Sequence, residues 1–522
     1  IQAGIHPGES DGKDAGFIAL RELLGEALAF RSIGAGSNVA TYPPAPHLLE
    51  HTALLFIPAF NTDGHERFGR WNRPNQNGPQ TTGRRATAQN LNLNRDYMKA
   101  HAPEMQAMLR LINEWDPLIC ADLHVTDGAD FEPDISIQVE PVNQGDPSLR
   151  ASGVELRELL IAKLGAQGSL PVSFYPDLAK TDDPASGFVL AVLSPRFSTG
   201  YFPQRNRFTV LVETHSWKPY EMRLRAMRNA IVGLAELAAT HGAKWLNDVQ
   251  RADAGRLGGN EIVLDYAAAW REPAQAGGTA ATVDDAGARI IEFRGYAYTR
   301  EPSLISGDRV TIYDPKTPQI WSVPYRDRVQ PSLTVTAPRG GYVVSAGYAE
   351  FVQSKLALHG IRCEPVAQSR DEVPLQTFRA ERVEFAPVPF EGCMRATLHG
   401  RWRDEPQPIP AGSLFVPMAQ RNARLVMALL EPQAPDSLAA WGFFNACFEQ
   451  KEQVEPYVAE QIAREMLAAS SGLRAEFEYK VAADAAFAAD PSARLGFFLR
   501  RHASWDPYFN LYPVYRAPSV VC

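Results

Sequence analysis

The sequence predicts an α/β region followed by a β-rich region and a mixed α+β tail, and three observations carry that reading. Short apolar runs alternate with amphipathic helical segments over residues 1–250. From 258 to 415 the pattern changes to alternating apolar and polar residues punctuated by Pro and Gly, as in a β-sandwich. Residues 416–522 mix helix with aromatic-rich loops. A chain of 522 residues exceeds the usual size of one core, so domains at about 1–250, 258–415 and 416–522 are expected.

Each element follows from its local pattern. Residues 54–58, 118–121 and 208–212 are near-continuous apolar runs, the mark of strands covered on both faces. Helices are predicted at 13–30, 103–114, 150–165 and 221–240. The last carries Leu224, Met227, Ile231, Leu234 and Leu237 at spacings of three and four, a buried stripe. His241-Gly242 is expected to close it, with 247–260 as a linker. In the β-rich region 309–313 and 332–336 alternate as strands, and 349–359 reads as a short helix. In the tail, a helix is predicted at 451–469.

Composition excludes some functions. The net charge is −8 and no Lys/Arg run interrupts it, so the clustered cations that phosphate backbones require are missing. No stretch approaches the roughly 20 apolar residues of a membrane span. The five cysteines, Cys120, Cys363, Cys393, Cys447 and Cys522, show no CxxC pairing, which excludes a cysteine zinc site by spacing. One bridge between Cys363 and Cys393 stays open for an oxidising compartment. Ile1 to Ile5 reads as the end of a buried strand with no Met before it, so upstream residues, including any leader peptide, are expected to precede Ile1.

Four segments carry chemistry. His6-Pro7-Gly8-Glu9 follows a strand, and an imidazole and a carboxylate in one tight turn can aim at one cation, although HxxE alone also describes an ordinary polar turn. His124 ends the strand Ala121-Asp122-Leu123-His124, at the edge where open α/β sheets place ligands. As the third member of a His-Glu-His set it leaves a fourth position for water. Asp122, on the same strand face, either orients a ligand or is a solvated carboxylate. Glu213 ends the strand before Thr214-His215. A carboxylate at a buried strand end needs a reason, and a general base beside a metal-bound water is one. His215 reads as a structural residue or a partner of Glu213. Asn94-Arg95, in the run 90–97, can grip a terminal carboxylate through the planar guanidinium fork and an amide donor. Asn61-Thr62-Asp63-Gly64 is a turn, and one arginine of the run 67–73 is placed to stabilise an oxyanion.

In this order the motifs resemble zinc metallocarboxypeptidases of the carboxypeptidase A/B type: HxxE, NxDG, an arginine-rich segment, LNR, a strand-end His and a strand-end Glu. The spacings fit, with 115 residues from Glu9 to His124 and 89 from His124 to Glu213. The resemblance covers about 1–245. It implies a mixed, mostly parallel sheet flanked by helices, N-terminally truncated at Ile1, with accessory C-terminal regions. It implies that His6, Glu9 and His124 bind Zn2+, that Glu213 is the general base, and that Asn94 and Arg95 hold the substrate's terminal carboxylate. Arg70 matches the arginine that polarises the scissile carbonyl, and Tyr201 is the nearest match to the substrate-capping tyrosine. Asn92 stands where the family often has an Asp that orients the first His ligand. An amide oxygen can still accept the imidazole N–H, with less charge support.

The expected reaction is hydrolysis of a C-terminal peptide bond, with peptide or protein C-termini as substrates. Two alternatives are an amidase acting on peptidoglycan stem peptides or N-acyl amino acids, and a catalytically silent binder of C-termini. By analogy with digestive and wall-processing relatives, a periplasmic or secreted location is expected. Residues 258–522 contain no catalytic constellation; His359 and His399 are isolated there.

Overall fold

The computed structural model describes residues 1–31, 39–268 and 288–521. Its N-terminal part is built on five strands: Gln2–Ala3 (β1), Ile119–Val125 (β2), Ile135–Glu140 (β3), Pro171–Val172 (β4) and Phe208–Thr214 (β5). They lie in the order β1-β2-β5-β3-β4. Only the β5–β3 pairing is antiparallel, so the sheet is mixed and mostly parallel. Every residue of β3 and β5 is buried; this explains the near-continuous apolar run 208–212 of β5, whereas β3 alternates Ile135, Ile137 and Val139 with the buried polar residues Ser136, Gln138 and Glu140.

Four helices flank this sheet: Asp11–Leu23 (α1), Pro103–Trp115 (α2), Arg150–Ala166 (α3) and Tyr220–Asp253 (α4). On one side Ala15, Leu156, Leu160 and Ile231 pack against Leu123, Val210 and Val212. On the other, α2 turns Met105, Leu109 and Ile112 toward a core shared with Val352, Leu356 and Leu425. No described helix is long and apolar enough to cross a membrane.

Local differences from the predicted elements have physical causes. Residues 54–58 form an extended segment beside β1 instead of a full strand: Ala3 donates its N–H to the Ile57 carbonyl, and Ile57 donates to Ile1, each at 2.9 Å. The first helix stops at Leu23, and Gly25 turns the chain with a φ of 105°. Helix α4 runs straight through His241-Gly242 and the first half of the predicted linker. It does so because Trp245 and Val249 are buried, and Trp245 Nε1 donates to Glu155 at 2.8 Å. That burial outweighs the cost of about 1 kcal/mol for a helical Gly.

A buried ion pair fixes the position of α1. Asp11, at its first turn, accepts from the Thr214 hydroxyl at 2.6 Å and meets Arg223 of α4 at 2.9 Å, both fully enclosed. The turn that carries Glu9 is thereby held over the carboxyl ends of β2 and β5.

The β-rich part divides among several sheets where one sandwich is predicted. The long hairpin Arg289–Pro302/Arg309–Arg326 joins the N-terminal part edge-on, Tyr325 pairing with Phe188 and Arg326 with Val189. A six-stranded sheet takes its central strand from the chain's end: Val514–Ala517 lies between Gly341–Val344 and Gln376–Phe385. The helix predicted at 349–359 spans Ala346–Leu358, and that predicted at 451–469 spans Pro456–Ala469. Cys363 and Cys393 are free thiols, so the bridge left open between them is absent; Cys120 and Cys447 are also free, and Cys522 lies outside the described residues.

Close packing of α1 on the sheet gives a test. A Cβ on Gly12 would lie 2.6 Å from Leu123 Cβ and 3.1 Å from Ala3 Cβ. Gly12→Val is expected to cost about 1–3 kcal/mol by overpacking, read as a lower denaturation midpoint in urea.

Candidate active site

The carboxyl ends of β1, β2 and β5 meet at a cavity of about 300 Å³. His6 and Glu9 follow β1, His124 lies in β2, and Glu213 lies in β5 directly opposite His124 in the parallel register. All four are buried. This convergence comes from topology: neighbouring parallel strands deliver residues 89 apart in sequence to one edge.

Glu9 is the hub. Its Oε1 lies 2.9 Å from His6 Nδ1 and its Oε2 lies 2.9 Å from His124 Nδ1. Oε2 also accepts the Val125 N–H at 3.0 Å, and Arg73 closes on Oε1 at 2.8 Å. Burial would raise this carboxyl's pKa, but Arg73 and the two imidazoles prevail and hold it well below the ordinary range.

Each imidazole has an oxygen on both sides. His6 Nε2 lies 3.2 Å from Asn92 Oδ1, opposite Glu9. His124 Nε2 lies 3.0 Å from Asp122 Oδ1, a charge contact without an aligned hydrogen bond, and Asp122 Oδ2 accepts from Ser198 at 2.6 Å. Burial lowers the His6 pKa to about 4, so that ring is neutral at pH 7. For His124 burial is overcome by Asp122 and Glu9, which raise its pKa well above 6.5. Burial pushes Glu213 up to about 8, and its Oε2 has no protein partner.

These residues fit a zinc ion. A neutral imidazole has one N–H and cannot donate to both Glu9 and Asn92; a cation at Nδ1, with Nε2–H donated to Asn92, satisfies both sides. Ligand atoms of His6, Glu9 and His124 lie within 4.8 Å of one another, and two imidazoles with one carboxylate form an open catalytic donor set.

Asn94 and Arg95 line the same cavity. The Arg95 guanidinium lies 4.2 Å over the Phe197 ring, and burial with nearby Arg85 and Arg196 lowers its pKa to about 10. A docked anion would relieve that repulsion.

Two expected residues are elsewhere. Arg70 is exposed, with its guanidinium 5.0 Å over Trp71 and outside the cavity; the arginines beside Glu9 are Arg73 and Arg85, the latter at 3.6 Å. Tyr201 is fully buried, its hydroxyl 3.0 Å from His359 Nδ1, so it cannot cap a substrate. Tyr175 lines the cavity instead, with its hydroxyl 3.2 Å from Asp127; no sequence signal marks it. His215 stacks on Phe131 at 4.0 Å with burial lowering its pKa to about 4, a structural role.

Residues 1–129 match the family described as zinc carboxypeptidase. This segment is of the zinc-carboxypeptidase type. Carboxypeptidase 2 of Trichophyton tonsurans is 22% identical over 456 residues, covering 85% of this chain and 73% of that protein, and that of Trichophyton rubrum matches equally. Among solved structures, a metallo-carboxypeptidase from Burkholderia cenocepacia aligns with a TM-score of 0.31 and 17% identity, over 45% of this chain and 56% of that one. The murein-tripeptide amidase of Escherichia coli O157 aligns at 0.25 and 18%, over 45% and 79%. The family match contains His6, Glu9, Asn94, Arg95 and His124 and ends before Glu213. The Trichophyton and Burkholderia proteins are carboxypeptidases by name, and the Escherichia coli protein is an amidase by name.

The titration pattern predicts proton-linked metal binding. His124 holds a proton between Glu9 and Asp122 at neutral pH, and a metal at Nδ1 must displace it. Affinity is therefore expected to rise with pH, with more than one proton released per zinc at pH 7, from His124 and from Glu213, read by calorimetry in buffers of different ionisation enthalpy.

Proposed function

We propose that the protein is a zinc-dependent metallocarboxypeptidase that releases the last residue of a peptide. The observation that carries this reading is the placement of Glu213 opposite His124 in register, beside the His6-Glu9-His124 set and in one cavity with Arg95. Zinc held by those three residues would supply an acidified water and polarise the scissile carbonyl.

The chain's own residues account for the rest. Glu213 accepts a proton from the attacking water at its carboxylate and later gives it to the leaving amine nitrogen. Its pKa of about 8 without a metal comes first from burial, and a cation beside it favours the ionised base. Arg85, which lines the cavity next to Glu9, takes up charge developing on the carbonyl oxygen. Arg95 and Asn94 grip the terminal carboxylate, which fixes the register at the last peptide bond. Tyr175 forms part of the wall.

The test is amino-acid release from C-terminally varied peptides by zinc-reconstituted protein. Free-acid peptides are expected to be cleaved and their C-terminal amides spared. Glu213→Gln should retain zinc and lose about 10²–10⁴-fold in kcat. No release from any peptide by zinc-loaded protein would sink the proposal, and turnover of N-acyl amino acids alone would make it an acylase.

Arg95→Gln is expected to cost about 1.5–3 kcal/mol of substrate binding, appearing mainly in KM. Arg85→Gln should instead lower kcat, whereas Arg70→Gln should leave both constants unchanged.

A further inference from the structure

The segment Asn92 to Arg95 is braced by residues 299 positions later in the chain. The strands Gln376–Phe385 and Ala396–Asp404 form a hairpin whose connection reaches this segment. Within it Phe390 and Cys393 exchange backbone hydrogen bonds of 2.9 and 3.0 Å, leaving Glu391 and Gly392 as a two-residue turn. Their φ angles are 50° and 77°. Such turns favour Asn, Asp or Gly at the first position, so local backbone chemistry does not explain a Glu there. A side chain held in this sparsely used conformation points to a constraint imposed by something it touches.

What it touches is the candidate site. Glu391 Oε2 accepts the backbone N–H of Asn92 at 2.8 Å, across 299 residues of sequence. Asn92 Oδ1 in turn faces His6 Nε2 and accepts the Asn94 N–H at 3.0 Å. A second link runs through rings and guanidinium groups. Arg95 and Arg196 both lie over Phe197, at 4.2 and 5.4 Å, and Arg196 also lies 5.9 Å from Phe390. Phe390 stacks on Trp441 at 6.0 Å, and Asp436 holds Arg196 at 3.2 Å. Such contacts fix a planar cation in orientation as well as place.

We propose that the Glu391-Gly392 turn positions the terminal-carboxylate clamp, with Glu391 fixing the Asn92–Arg95 backbone and Phe390, through Arg196 and Phe197, fixing the Arg95 guanidinium. This rests on the reading of Arg95 as the clamp. Glu391 and Phe390 are positioning residues, acting through others, and they make the C-terminal region part of substrate recognition.

The test is ligand binding by calorimetry on the full zinc-loaded chain. The probes are N-acetyl amino acids with apolar, basic and acidic side chains, each beside its neutral amide. Wild-type protein is expected to prefer the carboxylate. Glu391→Asn suits the turn better yet is too short to reach Asn92; with one hydrogen bond lost, carboxylate binding should weaken about tenfold while amide binding and thermal stability hold. Glu391→Gln keeps an acceptor of the same length and should stay within about threefold of wild type. Phe390→Ala should behave like Glu391→Asn toward the carboxylate.

The proposal is overturned if Glu391→Asn retains the wild-type preference, or if it weakens acid and amide alike. A wild-type protein with no preference for the acid refutes the clamp itself and this role with it. That result is distinct from a discriminating wild type whose Glu391 variants still discriminate.

Discussion

Removing a carboxylate from water is costly unless positive charge and hydrogen-bond donors surround it, and Glu9 is such a carboxylate at the meeting point of the chain's strands. Its two oxygens are met by His6, His124, Arg73 and the Val125 N–H, drawn from three separate segments. Those partners come together only if β1 and β2 are adjacent and the first helix starts above them, which the Asp11–Arg223 pair enforces from beneath. The site and the sheet are thus parts of one arrangement.

The same electrostatics separate the roles of neighbouring acids. Asp122 and Glu213 are both buried strand residues, yet Asp122 is held ionised by His124 and Ser198 against the effect of burial. Glu213 lacks such partners and burial drives it upward to about 8. One carboxylate serves to orient an imidazole; the other is free to exchange a proton. Between them the divalent-ion donor set keeps one side open toward the cavity.

Much of this was readable in the sequence because strand ends are readable. An apolar run that stops at a His or a Glu marks both an element and a sheet edge, and His6, His124 and Glu213 carry that signature, with Glu9 three residues beyond His6 in the turn. Arginines do not. In the run 67–73, Arg70 and Arg73 are three residues apart in a loop without periodicity, so nothing in the pattern tells which one turns inward. Tyr201 misled for a similar reason: its neighbourhood is polar, but it belongs to the short helix Ser198–Gln204 packed beneath the site, where His359 from the second half completes its hydrogen bond. His359 itself reads as isolated until that partner is known. Helix α4 outran its expected end because the burial of Trp245 depends on Glu155 and Phe208, residues of other elements. The contact of Glu391 with Asn92 spans 299 positions and has no local signature at all.

The shared core on the far side of α2 has a consequence for how the chain can be divided. Met105, Leu109 and Ile112 are sealed by Val352, Leu356 and Leu425. The carbonyl of Met98 and the guanidinium of Arg205 find hydrogen-bond partners in His359. Cutting after Asp253 would bare this greasy face and take away the imidazole that meets the Met98 carbonyl, so a fragment limited to the N-terminal half would self-associate before it could serve as a free-standing peptidase.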